Sequence, residues 1–569
     1  MRRHMGEKVR MQDQVQAVAD ISGAELIRRF QTVHECFRDA VADTPDNAFL
    51  ACPAYPGRAY HPDGVEYTYA QTAAAVDRLI DLYRGAGYGP GHRVAVLMEN
   101  RPEHFFHALA LNAIGASCVP VNPDYTHDEM LYQVSHSEAD LAVVIAARVA
   151  DMTRVAADRT DKVLHVVNSD DLPAALPAPA NPARDETPGL MTEVGLYYTS
   201  GTTGRPKGCV INNFYYLNGG AWYRDLGGCF TMHRGQERVF NPLPAFHMNC
   251  GIVTFTCMIL SRNCLIVPDR FHPGRWWKDL VDTRATAFHY LGIVAPVLLK
   301  QPECPEEKQH NCRFALGAGM EPELHPVFEE RFGVKLVEVW GMTETGRIFA
   351  DNHEPRQITT RAFGRPFGGF EARVADETGQ TVPTGTEGEL LVRWGGPEGP
   401  RHGFYAGYLK NPEATAEAWL DDWFHTGDVV RQDESGMLFF VDRKKNIIRR
   451  SGENIAAAEI EAAIQTMDAV KQVAVMAVTD ELRDEEVMAC VVPMDGVEPG
   501  PELAGQVQAW CLEKLAYYKA PGWVYFLDAL PTTGTQKVQK QEIFAGQDDP
   551  RQAAGVYDLR DGKKRKKKV

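Results

Sequence analysis

Short runs of β-branched and aliphatic residues alternate with helix-patterned stretches from about Phe30 onward, and this alternation constrains the fold most. Arg93–Met98 (RVAVLM), Leu141–Ile145 (LAVVI) and Lys162–Val167 (KVLHVV) are examples. Strands alternating with helices are joined by crossovers, which lay them parallel in a sheet covered by helices. An α/β architecture follows. At 569 residues the chain also exceeds what one hydrophobic core usually organises, so two or more domains are expected.

The punctuation of the chain suggests where those domains lie. Residues 1–27 are polar and charged and read as a loosely docked, flexible leader. Leu172–Pro188 is rich in Pro and Ala and reads as an exposed linker. Gly379–Val392 has turn residues followed by a strand, as in an antiparallel region. Beyond Asp442 a helix (Ala456–Met467) and two strands (Val470–Val478, Val487–Pro493) suggest a separate compact α+β domain. The boundaries expected are a large domain over 28–442, a small one over 443–545, and a flexible basic tail over 546–569. Lys563–Lys568 (KKRKKK) is a like-charge block of the kind that is normally solvated, although it could serve as a nuclear-import signal.

Composition narrows the function. A net charge of -16 argues against a general nucleic-acid binder, so a polyanionic ligand must be gripped locally. The twelve cysteines lack paired CxxC spacing, and Met1–Gln12 lacks the apolar stretch of a signal peptide. No run of about 18 apolar residues reads as a membrane span. A reducing cytoplasm is the expected home. Cys250, Cys257 and Cys264 recur every seven residues and read as small buried hydrophobes.

The first chemically loaded segment is Tyr197–Gly208 (YYTSGTTGRPKG), directly after the strand-like run Val194–Tyr198. Gly201, Gly204 and Gly208 allow close backbone approach to a ligand. Thr199, Ser200, Thr202 and Thr203 offer hydroxyls to phosphate oxygens, beside backbone N–H groups. Lys207 supplies a mobile cation where β- and γ-phosphate charge would sit. A Walker loop is excluded, because Arg205 and Pro206 separate Gly204 from Lys207 and Gly208 follows.

This segment resembles the phosphate-binding signature of the adenylate-forming superfamily, which includes acyl-CoA synthetases, peptide-synthetase adenylation domains and beetle luciferases. Further segments match, and along the chain they stand in the family's order. Val339–Thr345 (VWGMTET) is similar to the YGxTE motif, with Trp340 in the tyrosine position. The resemblance implies that Trp340 stacks on adenine, Gly341 lies at the nucleotide, Thr343 bonds the α-phosphate and Glu344 takes Mg2+. Leu316–Met320 (LGAGM) resembles the adenine wall, with Gly317, Ala318 and Gly319 leaving room for a flat ring. Trp423–Val429 (WFHTGDV) matches the TGD motif, whose aspartate, Asp428, would take the ribose hydroxyls.

Asp442–Glu461 resembles the inter-domain hinge, with Arg443 at ribose or phosphate and Lys445 as hinge residue. Ser451, Gly452 and Glu453, within Ser451–Ile455, would line the thiol's path. Leu530–Lys540 resembles the motif that presents the catalytic lysine, here Lys537. Gln536 replaces the usual glycine, and Lys540 is a stand-in; Asn213 stands where many members carry histidine.

The implied fold is a large multi-layer N-terminal domain with two sheets and a small barrel-like subdomain, followed by a small mobile α+β domain. The implied reaction joins a carboxylic acid to coenzyme A through an acyl-adenylate, with ATP and Mg2+, releasing AMP and pyrophosphate. Lys537 would serve the first half-reaction, and rotation about the hinge would bring the thiol loop for the second. Leu243–Gly251 (LPAFHMNCG) resembles the acyl gate, with His247 and Asn249 at the pocket and Tyr290 and Gly317 lining it. The absence of an acid in Pro244–Cys250 counts against an amino acid substrate. PAFHMNC, IIRRSGEN and Leu482–Glu486 look closest to bacterial carnitine/crotonobetaine–CoA ligases, which implies a small or medium acid, carnitine-like among the candidates. A carrier-protein-loading enzyme, a luciferase-like oxygenase and a non-catalytic nucleotide-binding scaffold are the competing readings, and a homodimer is compatible with all of them.

Overall fold

The computed structural model describes residues 21–199, 206–292, 294–450, 453–480, 483–532, 538–547 and 549–563, with Lys445 and Glu453 placed by backbone alone. The chain divides into two compact units. One holds the described residues up to Glu371 together with Arg393–Trp423; the other holds Ala372–Val392 and the described residues from Phe424.

The first unit is built on two sheets. In chain order its strands are β1 (Ala48–Cys52), β2 (Val65–Thr68), β3 (Arg93–Leu97), β4 (Ser117–Val121), β5 (Leu141–Val144), β6 (His165–Asn168) and β7 (Glu193–Thr199). They continue as β8 (Lys207–Asn212), β9 (Arg238–Phe240), β10 (Cys264–Ile266), β11 (Ala287–Leu291), β12 (Phe314–Ala318), β13 (Lys335–Gly341) and β14 (Ile348–Ala350). One sheet runs β6-β5-β3-β4-β7-β8, parallel up to β7 and closed by antiparallel β8. The other runs β14-β13-β12-β11-β9-β10-β1-β2, with antiparallel pairs only at its two ends. The alternation predicted this parallel core. Strands β4 and β5 are buried at every position, as strands covered on both faces must be.

Helix ends follow local chemistry. Thr68 and Gln71 form a reciprocal cap at Tyr69–Gly85, and Gly115 ends Pro102–Ile114 with a left-handed φ of 73°. Phe240, Trp276 and Phe288 meet edge-on in the core of the second sheet, with ring centroids 5.3 Å apart for both pairs made by Trp276.

Two expectations need correction. Within the segment read as a loose leader, Ser22 and Glu25 cap a short helix (Gly23–Ile27) whose Ile27 is buried and whose Gly23 N–H donates to Asp225. The linker Leu172–Pro188 has no regular structure but is docked rather than exposed throughout. Leu176 is buried, the Pro177 carbonyl accepts from Tyr88 Oη at 3.0 Å, and the Asn181 carbonyl lies 2.9 Å from His92 Nε2. Its carbonyls thus replace the bonds a regular element would have made. The cysteines at 250, 257 and 264 are buried, and burial pushes the Cys257 and Cys264 thiols up to about 12.

In the second unit, Trp423–Gln432 pairs antiparallel with Glu387–Trp394 on one side and Leu438–Arg443 on the other. No closed barrel is formed among the described residues. Beyond it, Asp484–Pro493 lies at the centre of a sheet, antiparallel to Val470–Asp480 and parallel to Trp523–Phe526. Helices Ala457–Gln465 and Pro501–Lys514 bury Ile460, Ile464, Val507 and Cys511 against Val475, Val487 and Val491. Within the stretch read as a tail, Val556–Asp558 adds a strand and Lys563 enters a buried cluster with Glu486 and Arg450. No helix of the described residues is long and apolar enough to cross a membrane.

Candidate active site

The phosphate-loop residues sit between two paired strands. Thr199 ends β7 and faces Lys207, the first residue of β8, across the ladder. Ser200, Gly201, Thr202, Thr203 and Gly204 lie outside the described residues. A third stretch, Tyr405–Leu409, runs along the outer side of β8. Ala406 N donates to the Val210 carbonyl at 2.9 Å, Val210 N to Gly407 at 2.9 Å, and Leu409 N to Gly208 at 2.8 Å.

This third stretch connects Lys207 to Glu344. The Lys207 ammonium stands 4.9 Å from the centre of the Tyr408 ring. The Tyr408 hydroxyl donates to Glu344 Oε1 at 2.7 Å, and Tyr405 N donates to the Glu344 carbonyl at 3.0 Å. Glu344 is buried, and Thr343 is fixed through its carbonyl, which accepts from Tyr215 Oη at 2.5 Å. The structure therefore brings Lys207 and Glu344 together at Tyr408, a residue that motif reading missed, with Thr199 across the ladder from Lys207 and Thr343 next to Glu344 in the chain.

The adenine-wall residues are pinned by a second missed residue, Glu338. Gly319 N donates to Glu338 Oε2 at 3.0 Å and Met320 N to Oε1 at 3.2 Å, while the Tyr290 hydroxyl donates to the same carboxylate. Burial pushes the Glu338 carboxyl up to about 7. Gly319 has φ +85°, and a Cβ on Gly317 would stand 2.3 Å from the Tyr290 carbonyl oxygen, so the two glycines have separate steric reasons. Ala318 ends β12 between them, and Gly341 ends β13. Trp340 is 6% exposed and stacks on Phe349 at 5.7 Å, so most of its ring serves the core.

The gate segment is shaped by Asn100, which was also missed. Its amide donates to the Leu243 carbonyl at 2.9 Å and its oxygen accepts from Ala245 N at 2.8 Å. His247 packs on Phe246 and its carbonyl accepts from Gly251 N at 2.8 Å. Asn249 opens a π-helical turn, Asn249–Thr254, and accepts from Asn241 Nδ2 at 2.9 Å. Tyr290 is buried, with its ring against Gly317. Asn213 is explained: it accepts from Val33 N and Asn112 Nδ2 and donates to Gly189, a wholly structural set of bonds.

In the second unit, Asp428 and Arg443 face each other across neighbouring strands and pair at 2.7 Å. Asp428 is 1% exposed while the Arg443 side chain is 38% exposed. Asp442 accepts from Ala458 N at 2.9 Å and from Arg443 N at 2.6 Å, tying the hinge segment to the following helix. Lys540 pairs with Glu461 at 2.8 Å. Lys537, Ser451, Gly452 and the side chains of Lys445 and Glu453 lie outside what is described.

No group of three or more His, Cys, Asp or Glu side chains among the described residues could hold a metal ion. Mg2+ is usually bound by one or two carboxylates plus substrate phosphates rather than by a protein cage. Glu344 is a carboxylate of the required kind.

Residues 37–405 match the AMP-binding enzyme family, and residues 459–537 match the AMP-binding enzyme C-terminal domain. The crotonobetaine/carnitine–CoA ligase of Proteus mirabilis (strain HI4320) is 29% identical over 495 residues, covering 84% of this chain and 93% of that protein. The crystal structure of ATP-bound MatB from Rhodopseudomonas palustris aligns with a TM-score of 0.74 at 25% identity, over 90% of this chain and 98% of that one. A benzoate CoA ligase from Burkholderia xenovorans LB400 shares the fold at a TM-score of 0.76 and 22% identity, over 90% and 99% of the two chains. The chain belongs to the AMP-binding enzyme family, within the acyl-CoA synthetases that its ordered motifs indicated.

Proposed function

We propose that the protein activates a small or medium carboxylic acid, carnitine-like acids among them, as an acyl-adenylate and then transfers the acyl group to coenzyme A. The observation that carries this reading is the Lys207–Tyr408–Glu344 arrangement beside the phosphate-loop strands. It offers one cation and one hard anion, held by the same ring, where a metal-bound triphosphate needs both.

A carboxylate is a poor electrophile, and making AMP its leaving group removes that obstacle. Little covalent chemistry is asked of the protein, so orientation and electrostatics supply the acceleration. Lys207 takes β- and γ-phosphate charge, and Thr343 orients the α-phosphate. Asp428 takes the ribose hydroxyls once it exchanges partners with Arg443. Lys537 stabilises the charge that develops as the acid attacks. Glu344 would hold Mg2+, whose charge would offset that of the phosphates. The Ser451–Glu453 loop then guides the thiol, and His247 with Asn249 forms the gate between acyl pocket and thiol path.

A cytoplasmic home belongs to the same reading, supported by twelve cysteines that are all unpaired. The test is AMP release from ATP across acids from acetate to aromatic acids, carnitine, crotonobetaine and γ-butyrobetaine, with and without CoA. CoA-dependent AMP release with one acid class is the expected result. An acyl-adenylate that forms but is never discharged by CoA would move the assignment to another acceptor, such as a carrier protein.

A further inference from the structure

We propose that Tyr408 is a positioning residue for adenylation, holding Lys207 and Glu344 apart and oriented for a metal-bound triphosphate. The proposal rests on the reading of those two residues given above. Two observations carry it.

First, Tyr408 makes different contacts with each group. Its ring centre lies 4.9 Å from the Lys207 ammonium, within the range of cation–π attraction, and its hydroxyl gives a 2.7 Å charge-assisted bond to Glu344 Oε1. Second, Tyr408 is itself held. The backbone of Tyr405–Leu409 is bonded along β8, Cys209 bridges to Tyr408, and Tyr408 N donates to Thr415 Oγ1 at 3.0 Å.

The physical need is plain. An ammonium and a carboxylate in one site shielded from water would attract strongly. A direct pair between them would have to be broken before either could meet the nucleotide or its metal. Tyr408 gives each charge a neutral partner, its ring to the ammonium and its hydroxyl to the carboxylate. The Tyr408 hydroxyl also fixes which way the carboxylate points, which is preorganisation of a metal ligand through its own partner.

The experiment compares wild type with Y408F, Y408L and E344A as full-length proteins. It reads acyl-adenylate formation by ATP–pyrophosphate exchange against Mg2+ concentration. Thioester formation from supplied acyl-adenylate and thermal unfolding are followed in parallel. Y408F, which keeps the ring and loses the hydroxyl, should raise the Mg2+ needed for half-maximal exchange about tenfold, with thioester formation unchanged. Y408L, which also loses the ring, should add a rise in the KM for ATP of about tenfold. An unshifted Mg2+ dependence in Y408F, while E344A shifts it, overturns the positioning role alone. An unshifted dependence in E344A shows instead that the metal reading of Glu344 has failed, and the proposal with it. Equal losses in both half-reactions, with a lowered Tm, would mark Tyr408 as merely structural and likewise overturn the proposal.

Discussion

The two charged pairs that the motifs single out are built in opposite ways. In the first unit, Lys207 and Glu344 are both held by one tyrosine, ring to cation and hydroxyl to anion. In the second, Asp428 and Arg443 are joined directly at 2.7 Å. The first arrangement gives each charge a neutral partner. The second neutralises a carboxylate that is 1% exposed. Under the proposed function the first would be preorganised for a metal-bound triphosphate, and the second would exchange its arginine for a ribose.

The largest effects should come from the preorganised side. Lys207→Ala and Glu344→Ala should each lower acyl-adenylate formation about 100-fold or more, measured by pyrophosphate exchange at saturating acid. Glu344→Ala should also raise the Mg2+ requirement. Lys537→Ala should be as severe for acyl-adenylate formation and yet leave thioester formation from supplied acyl-adenylate intact; equal loss in both halves would break the division of labour.

Stability should separate the pairs next. Arg443→Ala leaves a buried carboxylate without its cation, whereas Asp428→Ala leaves a guanidinium that water can reach. Thermal unfolding should therefore show Arg443→Ala to be the more damaging, by about 1–3 kcal/mol. The reverse order would mean that Arg443, not Asp428, is the costly partner. A double-mutant cycle sharpens the contrast: Asp428 and Arg443 should couple by about 1 kcal/mol or more, and Lys207 and Glu344 by under about 0.5 kcal/mol.

Much of this was legible in sequence, for reasons that differ by residue. The β3–β5 strands and the helix at Ala457–Gln465 follow from local apolar pattern, which is short-range. Thr199, Lys207, Thr343 and Glu344 lie in motifs whose order carries the information. Tyr408 was not legible, because its role depends on Tyr405–Leu409 lying along β8, about two hundred residues earlier in the chain. The Gly–Tyr–Leu preceding Asn411–Pro412 reads by itself as an ordinary turn approach. Glu338 was hidden for the same reason: nothing in β13 says that its carboxylate caps the Gly319 and Met320 amides. Within the stretch read as a leader, Ser22-x-x-Glu25 is a capping signature that could have flagged the helix at Gly23–Ile27, while residues 1–20 lie outside those described.

Glu338 supplies a further effect, through pH. Its folded-state pKa is raised to about 7, so the folded protein holds a proton that the unfolded chain gives up near the ordinary carboxylate value. Its contribution is fully present at acid pH and is lost as pH rises from about 4.5 towards 7. E338Q should flatten this part of the stability-versus-pH curve, a change of about 3 kcal/mol at most. A slope unchanged in E338Q would assign it to another group.

The most direct test of the central claim is a single turnover with ATP and a competent acid in the absence of CoA, quenched and then repeated with a CoA chase. The account predicts enzyme-bound acyl-adenylate and one equivalent of pyrophosphate before the chase, then AMP and acyl-CoA after it. Release of ADP and phosphate in place of AMP and pyrophosphate would contradict it.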